Sequence, residues 1–205
     1  IVVGYFGTVG VQAATLDGKR LWKDRSIGAV LDLAAGPPDA ADRGILCLDG
    51  VGRIVPVSVA GRAGPPLADG AARLRSLVSG PVAPDGGWAA LGMAGTAVGR
   101  NVAQGIDADG GVAWECAMAD GVHREAPVEP IAWADLLGTP RRQWLIAGPD
   151  GAVTVAWADG RVVDTYHHGA AITGLGGYRH AGAGFLVIAT RTTLESFRLE
   201  DVALD

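Results

Sequence analysis

The chain has 205 residues, 49% of them hydrophobic, with 32 glycines, 6% aromatic residues and a formal net charge of −5. That length allows one or two domains with a sizeable core, and the scattered basic residues argue against a nucleic-acid-binding surface. With no apolar run of about 18 residues, we expect no membrane span and a soluble protein, cytoplasmic or periplasmic. The Ala, Gly, Arg and Asp usage is typical of a bacterial chain.

The first 28 residues predict three short antiparallel strands. IVVGYFGTVGV at 1–11 is an apolar run broken by glycines, and LDGKRLW at 16–22 places an Asp-Gly turn before a third extended run. Glycine supplies the positive φ that tight turns require, and Asp-Gly between extended runs is a strong hairpin signal.

The same unit recurs along the chain. Its clearest copy is WLIAGPDGAVTVAWADGRVVDTYHHG at 144–169, which superposes on the first stretch with Gly4 on Gly148 and Gly7 on Gly151. Trp88 superposes on Trp144 in the same way. The copies are spaced by 45, 43, 56 and 41 residues, close to the roughly 40–50 residues typical of one blade of a β-propeller. Equivalent strands begin at Ile1, Leu46, Ala89, Leu145 and Leu186.

A short apolar strand precedes each unit after the first, so we name the strands of a unit a to d from the axis outward. The predicted sets are b-c-d in 1–28, a-b-c-d in 29–72, 73–122 and 131–169, and a-b-c in 171–205. We predict an all-β fold, a β-propeller or an arc of one, with about five four-stranded antiparallel blades, some incomplete at the termini. Residues 1–205 form a single domain in this prediction, with the alternative that they belong to a larger propeller.

The second set departs from the pattern because it lacks the Asp-Gly turn. Its chain runs instead through GRAGPPLADG at 61–70, a loop rich in proline and glycine. Trp22 and Trp114 occupy equivalent positions after the Asp-Gly turns of two other sets, and we expect both to cover the outer part of a blade.

The form "apolar run, Gly-x-x-Gly, apolar run, Asp-Gly-Lys/Arg, apolar, Trp" resembles the quinoprotein-type, or PQQ-like, propeller repeat. LDGKRLW at 16–22 and DADGGVAW at 107–114 are the closest copies. The resemblance implies a propeller fold, and relatives without the cofactor commonly act as assembly or interaction scaffolds. Quinoprotein dehydrogenases carry a vicinal cysteine pair and a cofactor-bound calcium. Here Cys47 and Cys116 lie far apart, so we expect no cofactor and buried free thiols.

Strand a lines the channel of a propeller, and in the sequence register Asp32, Ser76, Asp135 and Gly174 are equivalent. Asp32 and Asp135 are therefore the candidate acid/base pair of a propeller glycoside hydrolase, which is an alternative function. The competing interpretation is that these carboxylates meet water at the channel mouth and accept hydrogen bonds from backbone N–H groups.

The remaining candidates favour structural roles. His167 and His168 end a strand with their side chains on opposite faces, and His123 and His180 fall in separate loops, so no metal site is predicted. Asp107 and Asp109 indicate a β-turn, since the other oxygens of a calcium loop are missing. Trp133, Trp144 and Trp157 either pack between blades or form a binding platform, and packing is favoured.

The leading hypothesis is a non-enzymatic propeller scaffold that binds a protein partner through a loop face. A glycoside hydrolase and a structural piece of a larger propeller are the two alternatives.

Overall fold

A computed structural model of the chain describes residues 1–39, 41–67, 73–81, 88–95, 100–107, 110–121 and 130–199. Within these ranges the chain forms antiparallel β-sheets and one 3-10 turn, Ala41–Arg43, and it contains no α-helix. In the same ranges no helix has the length and hydropathy needed to cross a membrane.

The strands form five sheets, which we call blades 1 to 5. Blade 1 contains β1 (Val2–Tyr5), β2 (Gly10–Ala14) and β3 (Arg20–Asp24). Blade 2 contains β4 (Val30–Ala35), β5 (Ile45–Asp49) and β6 (Ile54–Val57). Blade 3 contains β7 (Arg73–Pro81), β8 (Trp88–Gly95), β9 (Asn101–Ile106) and β10 (Val112–Ala117).

Blade 4 contains β11 (Ile131–Ala134), β12 (Gln143–Ala147), β13 (Ala152–Trp157) and β14 (Val162–His167). Blade 5 contains β15 (Gly174–His180), β16 (Ala183–Ala189) and β17 (Leu194–Arg198). Every blade is a meander in which consecutive strands pair antiparallel. The innermost strands contact one another in chain order, β1 with β4, then β7, β11 and β15. This is the predicted propeller-type arrangement.

The core lies in layers between consecutive blades. Successive side chains of a strand point to opposite faces, so each inner blade packs against both neighbours. Val11 and Cys47 meet between blades 1 and 2, and Leu48 and Leu77 meet between blades 2 and 3. Met93 and Trp144 meet between blades 3 and 4. The layer between blades 4 and 5 contains Leu145, Val155, Leu186 and Ile188.

The turns between strands c and d fix the equivalence of the blades. The N–H groups of Thr15, Ser58, Asp107 and Trp157 each donate to the carbonyl four residues later. Counting back from these turns through the strand pairs, Ile1 is equivalent to Ile45, Ala90 and Trp144.

Two details of the sequence superposition are therefore wrong. Ile1 corresponds to Trp144 and not to Leu145, because the b–c turn of blade 1 has one more residue, and a glycine alignment does not preserve the strand register. Trp88 lies two residues before Ala90, which is the true equivalent of Trp144. A one-residue slip matters, since it moves a side chain to the other face of the sheet.

Blade 2 contains three strands in its described residues, where the sequence predicts four. Beyond the turn at Ser58–Arg62, the described chain pairs with β6 through an isolated bridge, Val57 with Ala63. Main-chain hydrogen bonds also run from Gly64 to Pro56 and from Leu67 to Ile54, both 2.8 Å. Proline has no N–H to donate, so Pro65 and Pro66 prevent a regular fourth strand here.

Candidate functional site

A concavity lies beside β6, where the irregular segment 63–67 follows the strand. We call it the blade-2 groove, and its volume is about 670 Å³. That volume falls in the range of small-molecule pockets, about 300–1,000 Å³. Its lining comes from the 3-10 turn, β6, the c–d turn and the irregular segment: Asp42, Arg43, Pro56, Ser58, Val59, Ala60, Arg62, Ala63, Gly64, Pro65, Pro66 and Leu67.

The chemistry of the groove suits binding better than catalysis. Prolines, Val59 and Leu67 make most of the lining apolar, and Val59 exposes 63% of its surface. The one hydroxyl in the lining, on Ser58, accepts a hydrogen bond from the Arg62 main-chain N–H at 3.0 Å. The exposed Arg62 places a positive charge at the groove, and Asp42 is the carboxylate in its lining.

A tryptophan of blade 1 holds the c–d turn that forms one side of the groove. The Trp22 Nε1–H donates to the carbonyl of Val59 at 3.0 Å. Gly61 in that turn has a φ of +82°, and a Cβ there would lie 2.4 Å from the Trp22 ring. We call this arrangement the tryptophan–turn contact.

The same contact joins blades 3 and 4. The Trp114 Nε1–H donates to the carbonyl of Ala158 at 2.8 Å, and a Cβ on Gly160 would lie 2.4 Å from the indole. The predicted equivalence of Trp22 and Trp114 is therefore correct, and their role is to fasten one blade to the next.

Asp32 lies on strand a of blade 2 and binds the main chain on both sides. Its Oδ1 accepts a hydrogen bond from the Leu33 N–H at 2.8 Å, and its Oδ2 accepts one from the Leu77 N–H at 2.9 Å. Because Leu77 belongs to β7, the carboxylate joins the inner strands of blades 2 and 3.

The predicted equivalence of Asp32 and Asp135 is wrong. Asp32 pairs with Leu48, Ser76 with Met93 and Gly174 with Ala189, so those three positions do correspond. In blade 4 the corresponding residue is Pro130, whose carbonyl accepts a hydrogen bond from the Ala147 N–H at 3.0 Å.

Asp135 follows the opposite end of β11 and accepts a hydrogen bond from the Gly138 N–H at 2.8 Å. Strand β11 has four residues and a rise of about 3.3 Å per residue, so its two ends lie about 13 Å apart. An inverting glycosidase pair lies about 6.5–9.5 Å apart and a retaining pair closer. The two carboxylates therefore lie at opposite ends of the inner strands. Asp32 joins two blades, whereas Asp135 binds the main chain of its own turn.

The three described histidines lie in blades 4 and 5. His167 is exposed at the end of β14, and His168 is half-buried with its Nε2 3.6 Å from Glu195 Oε2. His180 ends β15, where the sequence predicts a loop, and His123 lies outside the described residues. In the described part of the chain no three His, Cys, Asp or Glu side chains group as a metal site.

Both cysteines are free, Cys47 buried and Cys116 half-buried. Burial raises the pKa of the Cys47 thiol to about 12, with a smaller contribution from the charge of Asp24, and burial also raises the pKa of Cys116. Neither thiol has the lowered pKa of a reactive cysteine. Asp107 accepts a hydrogen bond from the Gly111 N–H in a β-turn, as predicted, and Asp109 lies outside the described residues.

Two of the three clustered tryptophans pack between blades. Trp144 is buried and Trp133 pairs with it across the strands, on the face that meets blade 3. A Cβ on Gly80 of β7 would lie 2.4 Å from the Trp133 indole, and Arg142 stacks over the same ring at 4.0 Å. Trp157 is half-buried at the end of β13.

Comparison with known proteins supports the fold and leaves the activity open. No protein-family model matches the chain, and no curated protein is similar to it in sequence. Among solved structures, a protein of unknown function from Bacteroides caccae superposes with a TM-score of 0.59 at 14% identity, covering 97% of this chain and 68% of that one.

BamB from Moraxella catarrhalis superposes with a TM-score of 0.52 at 16% identity, over 93% of this chain and 53% of that chain. The WD40 domain of Toxoplasma gondii coronin gives a TM-score of 0.56 at 11% identity, over 85% and 45%. WD40 repeats form β-propellers. The fold is thus a β-propeller type, and the chain spans about half the length of the latter two structures.

Sequence reasoning missed the groove, although a signal was present. The irregular loop GRAGPPLADG at 61–70 marks the set that lacks a regular outer hairpin. In its described residues blade 2 has no regular outer strand, and the 3-10 turn and segment 63–67 line the opening that results.

Proposed function

We propose that the protein is a non-enzymatic propeller scaffold that binds an extended segment of a partner protein in the blade-2 groove. The observation that supports this is the open, mostly apolar groove of about 670 Å³ beside β6, which has no regular d strand next to it in the described residues. Apolar clefts with a few polar groups are the usual form of peptide and ligand sites.

The main chain of β6 limits how such a segment binds. The carbonyls of Pro56 and Ile54 already accept hydrogen bonds from the N–H groups of Gly64 and Leu67. These two carbonyls are therefore engaged and cannot form the regular hydrogen bonds of an added strand. Recognition then depends on side chains: apolar residues against Val59 and the prolines, with an acidic group near Arg62. Arginine binds carboxylates well because its planar donors match their geometry.

Selection of peptides from a phage-displayed random library tests this role, with Val59→Asp as the groove variant. Val51→Asp is the matched control, because Val51 is an exposed valine in the b–c turn of the same blade, at 57% exposure against 63%. We expect enriched apolar–acidic peptides whose affinity V59D weakens at least tenfold and V51D leaves unchanged. Equal binding by wild type and V59D, or no enrichment, would overturn the proposal.

The same experiment series addresses the enzymatic alternative. Hydrolysis of aryl glycosides by the purified protein, abolished by Asp32→Ala or Asp135→Ala, would replace the scaffold role with a glycoside hydrolase. We expect no such turnover, since each carboxylate binds backbone N–H groups at a different end of the channel.

A second candidate role is membership of a larger propeller. Apolar side chains stay exposed on the outward faces of blades 1 and 5, among them Ile1, Tyr5, Tyr178 and Leu194. Interior faces of a propeller are covered by neighbouring blades. The intact mass of the native protein tests this role: a value well above the 20.8 kDa of residues 1–205 supports it, and 20.8 kDa refutes it.

A further inference from the structure

The connection between strands a and b of blade 4, residues 135–142, is held from inside by Gln143. The buried Gln143 Oε1 accepts a hydrogen bond from the Leu136 N–H at 2.8 Å, and its Nε2 donates to the Arg141 carbonyl at 2.6 Å. The Thr139 hydroxyl donates to the same carbonyl at 2.7 Å. The main chain at Arg141 is therefore fixed before the connection enters β12.

Two guanidinium groups are held against this connection by uncharged partners. Arg142 stacks on the Trp133 ring, with its Cζ 4.0 Å from the ring centroid. Arg179 reaches over from β15 of blade 5 and lies on Gly138, where an added Cβ would be 2.1 Å from the Arg179 Nη1. The Arg179 Nη2 donates to the Gly182 carbonyl at 2.5 Å. Both side chains are therefore placed before any ligand binds, and neither contact removes their charge.

No neighbouring carboxylate pairs with these arginines. Within the described part of the chain, Arg141, Arg142 and Arg179 lie more than 4.0 Å from every carboxylate oxygen. Asp135, the carboxylate of the same connection, accepts a hydrogen bond from the Gly138 N–H, and the three arginines outnumber it. Arg141 and Arg179 are exposed and Arg142 is half-buried. A chain with a formal net charge of −5 thus presents a local positive charge where blades 4 and 5 meet.

We propose that Arg141, Arg142 and Arg179, which we call the arginine site, bind a carboxylate-rich segment of a partner protein. A planar guanidinium donates two parallel hydrogen bonds to a carboxylate, and a side chain that is already placed loses little conformational freedom on binding. The arginine site is separate from the blade-2 groove, because it lies on blades 4 and 5 and recognises charge, whereas the groove is mostly apolar.

A protein partner suits the arginine site better than a nucleic acid. Binding to a phosphate backbone depends on lysines and arginines clustered over one face or along a stripe. The exposed carboxylates of Asp150, Asp159 and Asp164 lie on blade 4 as well. The positive charge is therefore confined to the arginine site and does not extend along the blade, which matches a short acidic segment.

Fluorescence anisotropy of a fluorescein-labelled hexaglutamate peptide tests the arginine site at low ionic strength, where attraction between charges is least screened. We expect saturable binding that Arg142→Gln and Arg179→Gln each weaken about threefold and the double variant about tenfold. Arg142→Lys should weaken binding as much as Arg142→Gln, because lysine keeps the charge but lacks the planar donors. Arg25→Gln is the matched control, since Arg25 is an exposed arginine of blade 1 and its loss changes the net charge equally.

Three results would overturn the proposal: no saturable binding, a loss in R25Q equal to that in R142Q, or an R142K variant that binds like wild type. Tighter binding of an oligothymidylate with the same number of charges would assign the site to nucleic acid and also reject it. Val59→Asp separates the arginine site from the groove, because V59D should leave hexaglutamate binding unchanged and a loss would place the peptide in the groove. Circular dichroism verifies that each variant is folded, and R179Q decides the result if R142Q is not.

Discussion

Asp32 and Leu77 join the inner strands of two blades: the Asp32 Oδ2 accepts a hydrogen bond from the Leu77 N–H at 2.9 Å. In a propeller, neighbouring blades are joined covalently only by short connections and are otherwise held together by the apolar layers between them. A hydrogen bond between two blades adds to that packing. A half-buried carboxylate that accepts two main-chain N–H groups is a stabilising element of the ring.

Replacing Asp32 by alanine should destabilise the protein more than replacing Asp135. Loss of a charged acceptor that serves two backbone donors costs about 1–3 kcal/mol of unfolding free energy. Asp135→Ala is the control, since that side chain caps one local turn and its loss should cost under about 1 kcal/mol. Urea denaturation of both variants measures the difference, and equal effects would contradict the inter-blade role of Asp32.

Gly61→Ala should be more damaging than Gly18→Ala in the chain of residues 1–205. Both positions have positive φ, so alanine costs each about 1 kcal/mol of strain. Only Gly61 lies against an indole, and displacing Trp22 adds about 2 kcal/mol from lost burial and a lost hydrogen bond. Thermal unfolding followed by circular dichroism compares the two variants. A G18A variant as unstable as G61A would contradict the stabilising role of the tryptophan–turn contact at Gly61.

Stability should fall at acid pH partly through Asp24. Burial alone would raise the pKa of Asp24, but hydrogen bonds from the Ser26 side chain, the Ser26 N–H and the Ala63 N–H together lower it. A carboxyl group whose folded pKa is lowered stabilises the fold above its unfolded pKa, near 3.9, and loses that contribution as pH falls through the folded value.

The comparison of wild type with Asp24→Asn across pH 6 to 2.5 measures this effect. We expect wild type to be the more stable at pH 6 and the advantage to shrink towards the acid end. Ser26→Ala, which removes one of the three bonds, should reduce the pH dependence without abolishing it. An advantage that is constant or grows as pH falls would show that Asp24 is not the responsible group.

Gln143 should be among the most sensitive polar positions of the chain. It is fully buried, and its Oε1 accepts hydrogen bonds from the Leu136 and Leu137 N–H groups while its Nε2 donates to the Arg141 carbonyl. Gln143→Leu leaves these main-chain groups without partners and should cost about 2–4 kcal/mol.

The control for Gln143 is Gln12→Leu, a half-buried glutamine on β2 of the outward face of blade 1. We expect a change within about 0.5 kcal/mol for that variant. Chemical denaturation measures the loss of unfolding free energy in Gln143→Leu and in Gln12→Leu. A loss at Gln143 as small as that at Gln12 would mean that water replaces the lost hydrogen bonds.

The repeated pattern in the sequence predicted the architecture of antiparallel blades. Glycine and Asp-Gly turns between apolar runs predict meandering strands locally, because the residues that set a turn are adjacent in the chain. These local patterns predicted the order of the blades, their inner strands and the equivalence of Trp22 with Trp114. The sequence also predicted that both cysteines are free and that Asp107 lies in a turn.

Tertiary structure decided the register and the site. A single added residue in the b–c turn of blade 1 moved Ile1 to the other face of its strand. The position equivalent to Asp32 is Pro130, so Asp135 lies five residues further along, past the opposite end of β11. Strand faces alternate with every residue, so an error of one in a turn reverses which neighbour a side chain meets. The blade-2 groove likewise depends on which segments lie side by side, because its lining comes from residues 42–43 and 56–67. Local sequence patterns do not specify which of these segments come together in space.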